Sequence, residues 1–204
     1  MRAAGLVFKG WRDSVLKMRL RAENSENNII RLKQTNKMPV NVNQRIGVFV
    51  DVQNMYYSAK NLYNAKVNFA QILKAAVGGR SLIRAITYVI KADVKEEQNF
   101  FDALEKIGFE VKAKELQIFA GGAKKGDWDI GLAMDTIELA PKLDTIVIVS
   151  GDGDYVPLVN HLRHALGCRI EIIAFGKSCS ALLKEECDSF IDLDSDKRRF
   201  LIFK

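Results

Sequence analysis

From Arg45 onward, short apolar runs alternate with amphipathic stretches. Ile46–Asp51 is a continuous apolar run closed by an acid, the pattern of a buried strand. Gln53–Tyr63 and Asn68–Ala76 read as helices, and Gly78-Gly79 closes the second as a C-cap. Leu82–Ile90, rich in β-branched residues, predicts another strand. Phe100, Phe101, Leu104 and Ile107 form the apolar face of a helix over Glu96–Ile107, stopped by Gly108. A short strand at Phe109–Ala113 and a loop at Glu115–Lys125 follow. Trp128–Leu139 reads as a helix closed by Pro141, and Asp144–Val149 as a strand. Tyr155–Leu166 reads as a helix started by Asp154, and Arg169–Phe175 as a strand. Ser178–Glu186 reads as a helix with Ser178 as its cap, and Phe190–Leu193 as a last strand. This alternation predicts an α/β fold, a central parallel sheet with helices on both faces.

Composition adds a division of the chain. Of 204 residues, 48% are hydrophobic and 27% charged, ordinary values for a globular protein. The net charge of +6 is carried by residues 1–44, with nine basic and three acidic side chains. The remainder holds 22 of each sign. The pattern therefore reads as a basic, flexible extension over 1–44, a domain over 45–194, and a tail or short helix over 195–204. Met38, just before the first strand, offers a second natural start. No apolar run approaches the ~20 residues of a membrane helix. The apolar stretch after Met1 is too short for a secretory signal. Cys168, Cys179 and Cys187 form no CxxC pair and fit reduced thiols in a cytoplasmic protein.

The candidate chemistry is acidic. Asp51 ends the first strand. Asp152 and Asp154 follow another, in Ser150-Gly151-Asp152-Gly153-Asp154-Tyr155. Strand carboxyl ends line the ligand crevice of an open parallel sheet. Two carboxylates about 5 Å apart repel by roughly 3 kcal/mol at an effective dielectric near 20. A hard divalent cation is the usual offset. Asp129 and Asp135 lie on one predicted helix, about 120° apart and roughly 9 Å along it. Direct ligation of one ion by both is therefore disfavoured, and Asp129, in the first turn, ranks ahead. Asn54, three residues after Asp51, is placed to hold a water or a phosphate oxygen. Lys124 and Lys125 are candidate phosphate contacts. Helix capping is the plain alternative for Asp51, Asn54, Asp129 and one of Asp152 and Asp154. Gly176-Lys177-Ser178 is not a phosphate-binding loop, because Glu171 stands where that motif needs glycine. His161 and His164 have no third histidine partner.

Three blocks together carry a resemblance. Val48-Phe49-Val50-Asp51-Val52-Gln53-Asn54, then Lys125-Gly126-Asp127-Trp128-Asp129-Ile130 with Asp135, then Val149-Ser150-Gly151-Asp152-Gly153-Asp154-Tyr155 resemble the signature blocks of the NYN domain. More narrowly they resemble its LabA-like branch, within the PIN-like nuclease superfamily; Phe190-Ile191-Asp192-Leu193 fits that branch too. The resemblance spans residues 45–194. It implies a PIN-like three-layer fold, action on RNA, a site for Mg²⁺ or Mn²⁺, and metal-dependent cleavage of RNA phosphodiesters. By position, Asp51, Asp129 and Asp152 match the core acidic set as metal ligands. Asn54, Asp135 and Asp154 match accompanying positions. Asp154 is expected to assist catalysis, Asn54, Lys124 and Lys125 to bind substrate, and Asp135 and Ser150 to support the acids. Asp127 stands where many members have a hydrophobic residue. Several families of this fold pair up, so a homodimer is compatible with it.

Two other readings compete. One is a non-catalytic RNA-binding or regulatory module on the same fold. The other is a phosphatase, since Gly151-Asp152-Gly153 also resembles the last acidic motif of haloacid-dehalogenase-type enzymes. Gln53 occupies the position where their first motif needs a second aspartate.

Overall fold

The computed structural model describes residues 41–91, 95–115, 117–118, 124–125 and 128–203. The expected extension over 1–44 therefore lies almost wholly outside the described residues. A six-stranded parallel sheet forms the centre, built from β1 (Arg45–Asp51), β3 (Ser81–Lys91), β4 (Glu110–Glu115), β7 (Thr145–Val149), β8 (Arg169–Ala174) and β9 (Ser189–Asp192). Their order is β4-β3-β1-β7-β8-β9. The chain starts in the middle, builds outward through β3 and β4, then returns to the other side of β1. The order reverses between β1 and β7, and a ligand crevice is expected beyond the carboxyl ends there.

Period-two alternation explains the two cores. Val48 and Val50 pack on one face with Val147 and Val149. Phe49 packs on the other with Ile146 and Ile148. Parallel register sets Val48 beside Val147 and Phe49 beside Ile148. The first face is covered by α1 (Val52–Tyr63), α2 (Phe69–Val77) and α3 (Lys95–Ile107), through Met55, Ile72 and Leu104 among others. The second is covered by α4 (Asp129–Leu139), α5 (Val156–His164) and α6 (Ala181–Glu186), through Leu132, Val159 and Leu183. Gly47 faces the second core. A Cβ there would stand 2.5 Å from Leu143 Cδ1, so only glycine lets the segment before β7 pack this closely.

Local signals behave as expected at several ends. Asn68 caps α2 by accepting from the Gln71 N–H at 3.3 Å. Gly78 closes that helix in the left-handed region, at φ 56°. Pro141 does not stop the chain's winding; it enters a short 3-10 turn at Ala140–Lys142 that continues α4. The predicted loop after β4 contains two short paired strands, β5 (Gln117–Ile118) and β6 (Lys124–Lys125). At the foot of the sheet, Glu171 is buried and held by Arg80 at 2.8 Å and Arg169 at 3.1 Å.

The terminal segment takes the short-helix form of the two expected for it and adds a strand. Helix α7 (Lys197–Phe200) leads into β10 (Leu201–Ile202), which pairs antiparallel with β2 (Lys66–Val67). Phe200 and Leu201 belong to the first core. A four-residue helix and a two-residue strand are too short for periodicity to register. No helix among the described residues is long and apolar enough to cross a membrane.

Phe200→Ala is expected to lower unfolding free energy by about 3–5 kcal/mol in urea titration, the usual loss for a buried phenylalanine. A loss below about 1 kcal/mol would mean that this segment lies outside the cooperative core.

Candidate active site

Parallel pairing carries Asp51 and the loop after β7 to the same edge. Asp51 closes β1 and also caps α1, its Oδ1 accepting from the Asn54 N–H at 3.0 Å. Capping and site roles, alternatives in the sequence, thus fall on one side chain. Register sets Asp51 opposite Tyr88 of β3. Ser150 Oγ donates to Asp51 Oδ2 at 3.4 Å and accepts from the Asp152 N–H at 3.2 Å. Asn54 Oδ1 accepts from the Gly151 N–H at 3.0 Å. These bonds tie the two strand ends together.

The 149–155 loop is tight for a physical reason. A Cβ on Gly151 would stand 3.0 Å from Cys179 Cα, and one on Gly153 would stand 3.0 Å from Ser180 Oγ. The loop after β8 packs directly on it, and the Ser180 N–H donates to Gly151 O at 2.9 Å. The same packing moves the start of α6. The helix begins at Ala181, not at Ser178, and no side chain caps it. Ser178 instead sits in the preceding turn, its Oγ donating to Ser58 Oγ at 3.1 Å.

Asp51, Asp129 and Asp152 line one cavity of about 410 Å³. Its walls include Asn54, Tyr57, Ser58 and Asn61 of α1, with Tyr88 and Trp128 opposite. Tyr155, buried beneath it, donates from its hydroxyl to Asp129 Oδ1 at 2.9 Å, with a longer contact of 3.5 Å to Asp51 Oδ2. Burial, and then the charges of Asp51 and Asp129, raise the Tyr155 phenol far above its ordinary range, so it stays a donor. Burial chiefly, with repulsion from Asp129 and Asp152, pushes the Asp51 carboxyl up to about 6. The Asn54 and Ser150 hydrogen bonds oppose that rise.

The remaining predicted residues divide. Asp135 does not line the cavity. It pairs with Lys112 at 2.6 Å and accepts from the Tyr88 hydroxyl at 2.7 Å, and so holds a cavity-lining ring in place. Asp154 does not reach the cavity either. The 3-10 turn Gly153–Tyr155 leaves its side chain exposed; Asp152 caps that turn, its Oδ1 accepting from the Asp154 N–H at 3.0 Å, and no side chain caps the helix that Asp154 was expected to start. Helix α5 itself starts at Val156 with Pro157 in its first turn. The Lys124 and Lys125 side chains, and Asp127, lie outside the described part.

Sequence reading found Asn54 but missed Tyr155, Tyr88 and the rest of the α1 stripe that Asn54 begins, Ser58 and Asn61. The stripe was legible as polar residues at i, i+4 and i+7 on the helix that starts at the acidic strand end. Trp128 was read only as a helix start. Its indole donates to Val89 O at 2.8 Å and lies over Gly131, where a Cβ would stand 2.4 Å from the ring.

No three His, Cys, Asp or Glu side chains among the described residues converge closely enough to hold an ion as they stand. The donor chemistry nonetheless suits a hard cation. Three carboxylates border one cavity, and Asp51 and Asp152 make no ion pair among the described residues. The destabilised ionised form of Asp51 is what a bound cation would relieve.

Comparison with known proteins gives a consistent picture. Residues 45–194 match the family model of the NYN domain. The chain is 26% identical over 172 residues to the low amplitude and bright protein LabA of Synechococcus elongatus, an alignment covering 77% of this chain and 87% of that protein. The crystal structure of a protein of unknown function from Vibrio parahaemolyticus superposes with a TM-score of 0.73 at 30% identity. That match covers 81% of this chain and all of the other.

The raised Asp51 carboxyl has a stability signature. Its folded pKa of about 6 exceeds the ordinary 3.8, so its stabilising contribution is full below about pH 4 and is lost as pH rises through about 6. About two units correspond to roughly 3 kcal/mol. In EDTA, wild type is expected to lose stability relative to Asp51→Asn between pH 4 and pH 7, measured by urea titration at each pH. A constant difference would place Asp51 in an unperturbed environment.

Proposed function

The chain belongs to the NYN domain family, and from that premise we propose that it is a ribonuclease dependent on Mg²⁺ or Mn²⁺. The observation that carries this reading is the meeting of Asp51, Asp129 and Asp152 on one cavity at the carboxyl edge of the sheet. These three carboxylates would hold the cation. When bound, it would activate water and offset charge on the phosphoryl oxygens.

The chain's own groups have separable tasks. Tyr155 keeps its proton and orients the Asp129 carboxylate while touching Asp51. Ser150 and Asn54 fix the loop that carries Asp152. The Asn54 side-chain nitrogen has no hydrogen bond among the described residues and lines the cavity, where it can donate to a phosphate oxygen. Lys124 and Lys125, shortly before α4 in the chain, would add positive charge toward the RNA backbone. Asp135 acts through Tyr88 as a positioning residue. Asp154, exposed and away from the cavity, is left out of the catalytic set.

The spacing of the carboxylates as they stand favours one alternative, a module that binds RNA without turnover. Cleavage of defined RNA and DNA oligonucleotides, assayed in Mg²⁺, Mn²⁺ or EDTA, separates the two. The nuclease reading expects RNA products only with metal, and a rate at least 100-fold lower for Asp152→Asn. RNA that binds but stays intact in every metal would select the non-catalytic module. Equal rates for wild type and Asp152→Asn would remove Asp152 from the chemistry.

A further inference from the structure

Beside the acidic cavity lies a larger apolar groove of about 750 Å³ between α1 and α3. Tyr56, Tyr57 and Phe100 line it, with Ile202 and Lys66. The two spaces are neighbours, with Gln53, Tyr57 and Ile90 bordering both. We infer that this groove is a base-binding subsite for an unpaired nucleotide of the RNA strand whose phosphodiester enters the acidic cavity. The inference rests on the proposed action on RNA and names the form of strand that the site takes.

The aromatic side chains are the first support. Tyr56 is 48% exposed and Tyr57 50%, so both present ring surface to a partner in the groove. Their rings stand edge to face with centroids 5.3 Å apart, so each braces the other. Phe100 is 38% exposed and braced by Phe69 at 5.9 Å and Phe101 at 6.2 Å. Rings held this way offer stacking faces with little left to order on binding. Every nucleobase has a stackable face, and such stacking tolerates any sequence.

Charge is the second support, and it selects nucleic acid over a neutral apolar partner. Lys60 Nζ lies 5.5 Å from the Tyr56 ring centre, and Lys66 lines the groove. Aromatic rings interleaved with cations are the pattern of single-strand binding surfaces. Among the described residues Glu97 is the one carboxylate on this wall. The carboxylates gather instead in the adjoining cavity, where a bound cation would accept the phosphate. A strand crossing at Tyr57 therefore meets phosphate chemistry on one side and base chemistry on the other. A base paired in a duplex cannot enter the groove without breaking its pair.

Fluorescence anisotropy tests this with the full chain carrying Asp152→Asn, in Mg²⁺. The probes are a short fluorescein-labelled single-stranded oligoribonucleotide, its blunt duplex, and a version with abasic sites. Adding Tyr56→Ala is expected to weaken single-strand binding about tenfold, whereas Tyr56→Phe, which keeps the ring, stays within about twofold. The duplex and the abasic strand are expected to bind about tenfold more weakly than the intact single strand. Unchanged affinity for Tyr56→Ala, or equal affinity for duplex and single strand, would overturn the subsite. A dimer that Tyr56→Ala dissociates in sedimentation, with RNA affinity unmoved, would assign the groove to a second copy and also overturn it. Tyr56-dependent binding without metal-dependent cleavage by the otherwise wild-type chain would uphold the subsite while removing the nuclease reading. Metal-dependent cleavage with kcat/KM indifferent to Tyr56→Ala would do the reverse.

Discussion

Parallel pairing of β1 with β7 is the constraint on which the rest depends. It sets Val48 beside Val147 and Phe49 beside Ile148. Both strands then end at the same edge, Asp51 on one and Ser150 just beyond the other. Apolar burial drives the pairing, since each strand is covered on both faces. Carboxylates are a by-product that burial alone would not tolerate. Asp51 is raised to about 6 because the pairing holds it in a desolvated place near Asp129 and Asp152. Tyr155, with one proton to share between two acids, eases that strain only in part.

The two strand ends are thus tied together, while Asp51 carries a charge that burial disfavours. Asn54, Ser150 and Gly151 tie the two strand ends by hydrogen bonds of 3.0–3.4 Å. Lys112 satisfies Asp135, away from the cavity. Asp51 and Asp152 have no such partner among the described residues. Among the described residues the peripheral acid is paired and the two central ones are not, which is the charge pattern the proposed cation would offset. The apolar groove adjoining this cavity extends the same logic, with aromatic faces and lysines where the acids stop.

Much of this was legible in the sequence because the central strands are extreme. A run such as Ile146-Val147-Ile148-Val149 admits little but a buried strand, and an acid just beyond it falls at the crevice. Asp51 and Asp152 were found this way, and Asp129 from its place in the first turn of a predicted helix. What failed depended on contacts between distant segments. Asp154 looked like a helix cap, but an intervening 3-10 turn capped by Asp152 leaves the helix without a side-chain cap. Ser178 looked like a cap, but the close approach of Cys179 to Gly151 delayed the helix to Ala181. Phe200 fell in a segment read as a tail or short helix; it ends a short helix, and its burial in the core carried no local signal. Tyr155 and Tyr88 carried no local signal, because a buried tyrosine resembles ordinary core until its hydroxyl partner is known.

The central claim is that Asp51, Asp129 and Asp152 together hold a divalent cation. Anomalous scattering from a crystal of the protein soaked in Mn²⁺ tests it most directly. The account predicts a manganese peak in the cavity with carboxylate oxygens of these three residues at about 2.2 Å, ordinary for a hard divalent ion with oxygen ligands. A fully soaked crystal with no peak there, or with manganese bound only elsewhere, would contradict it.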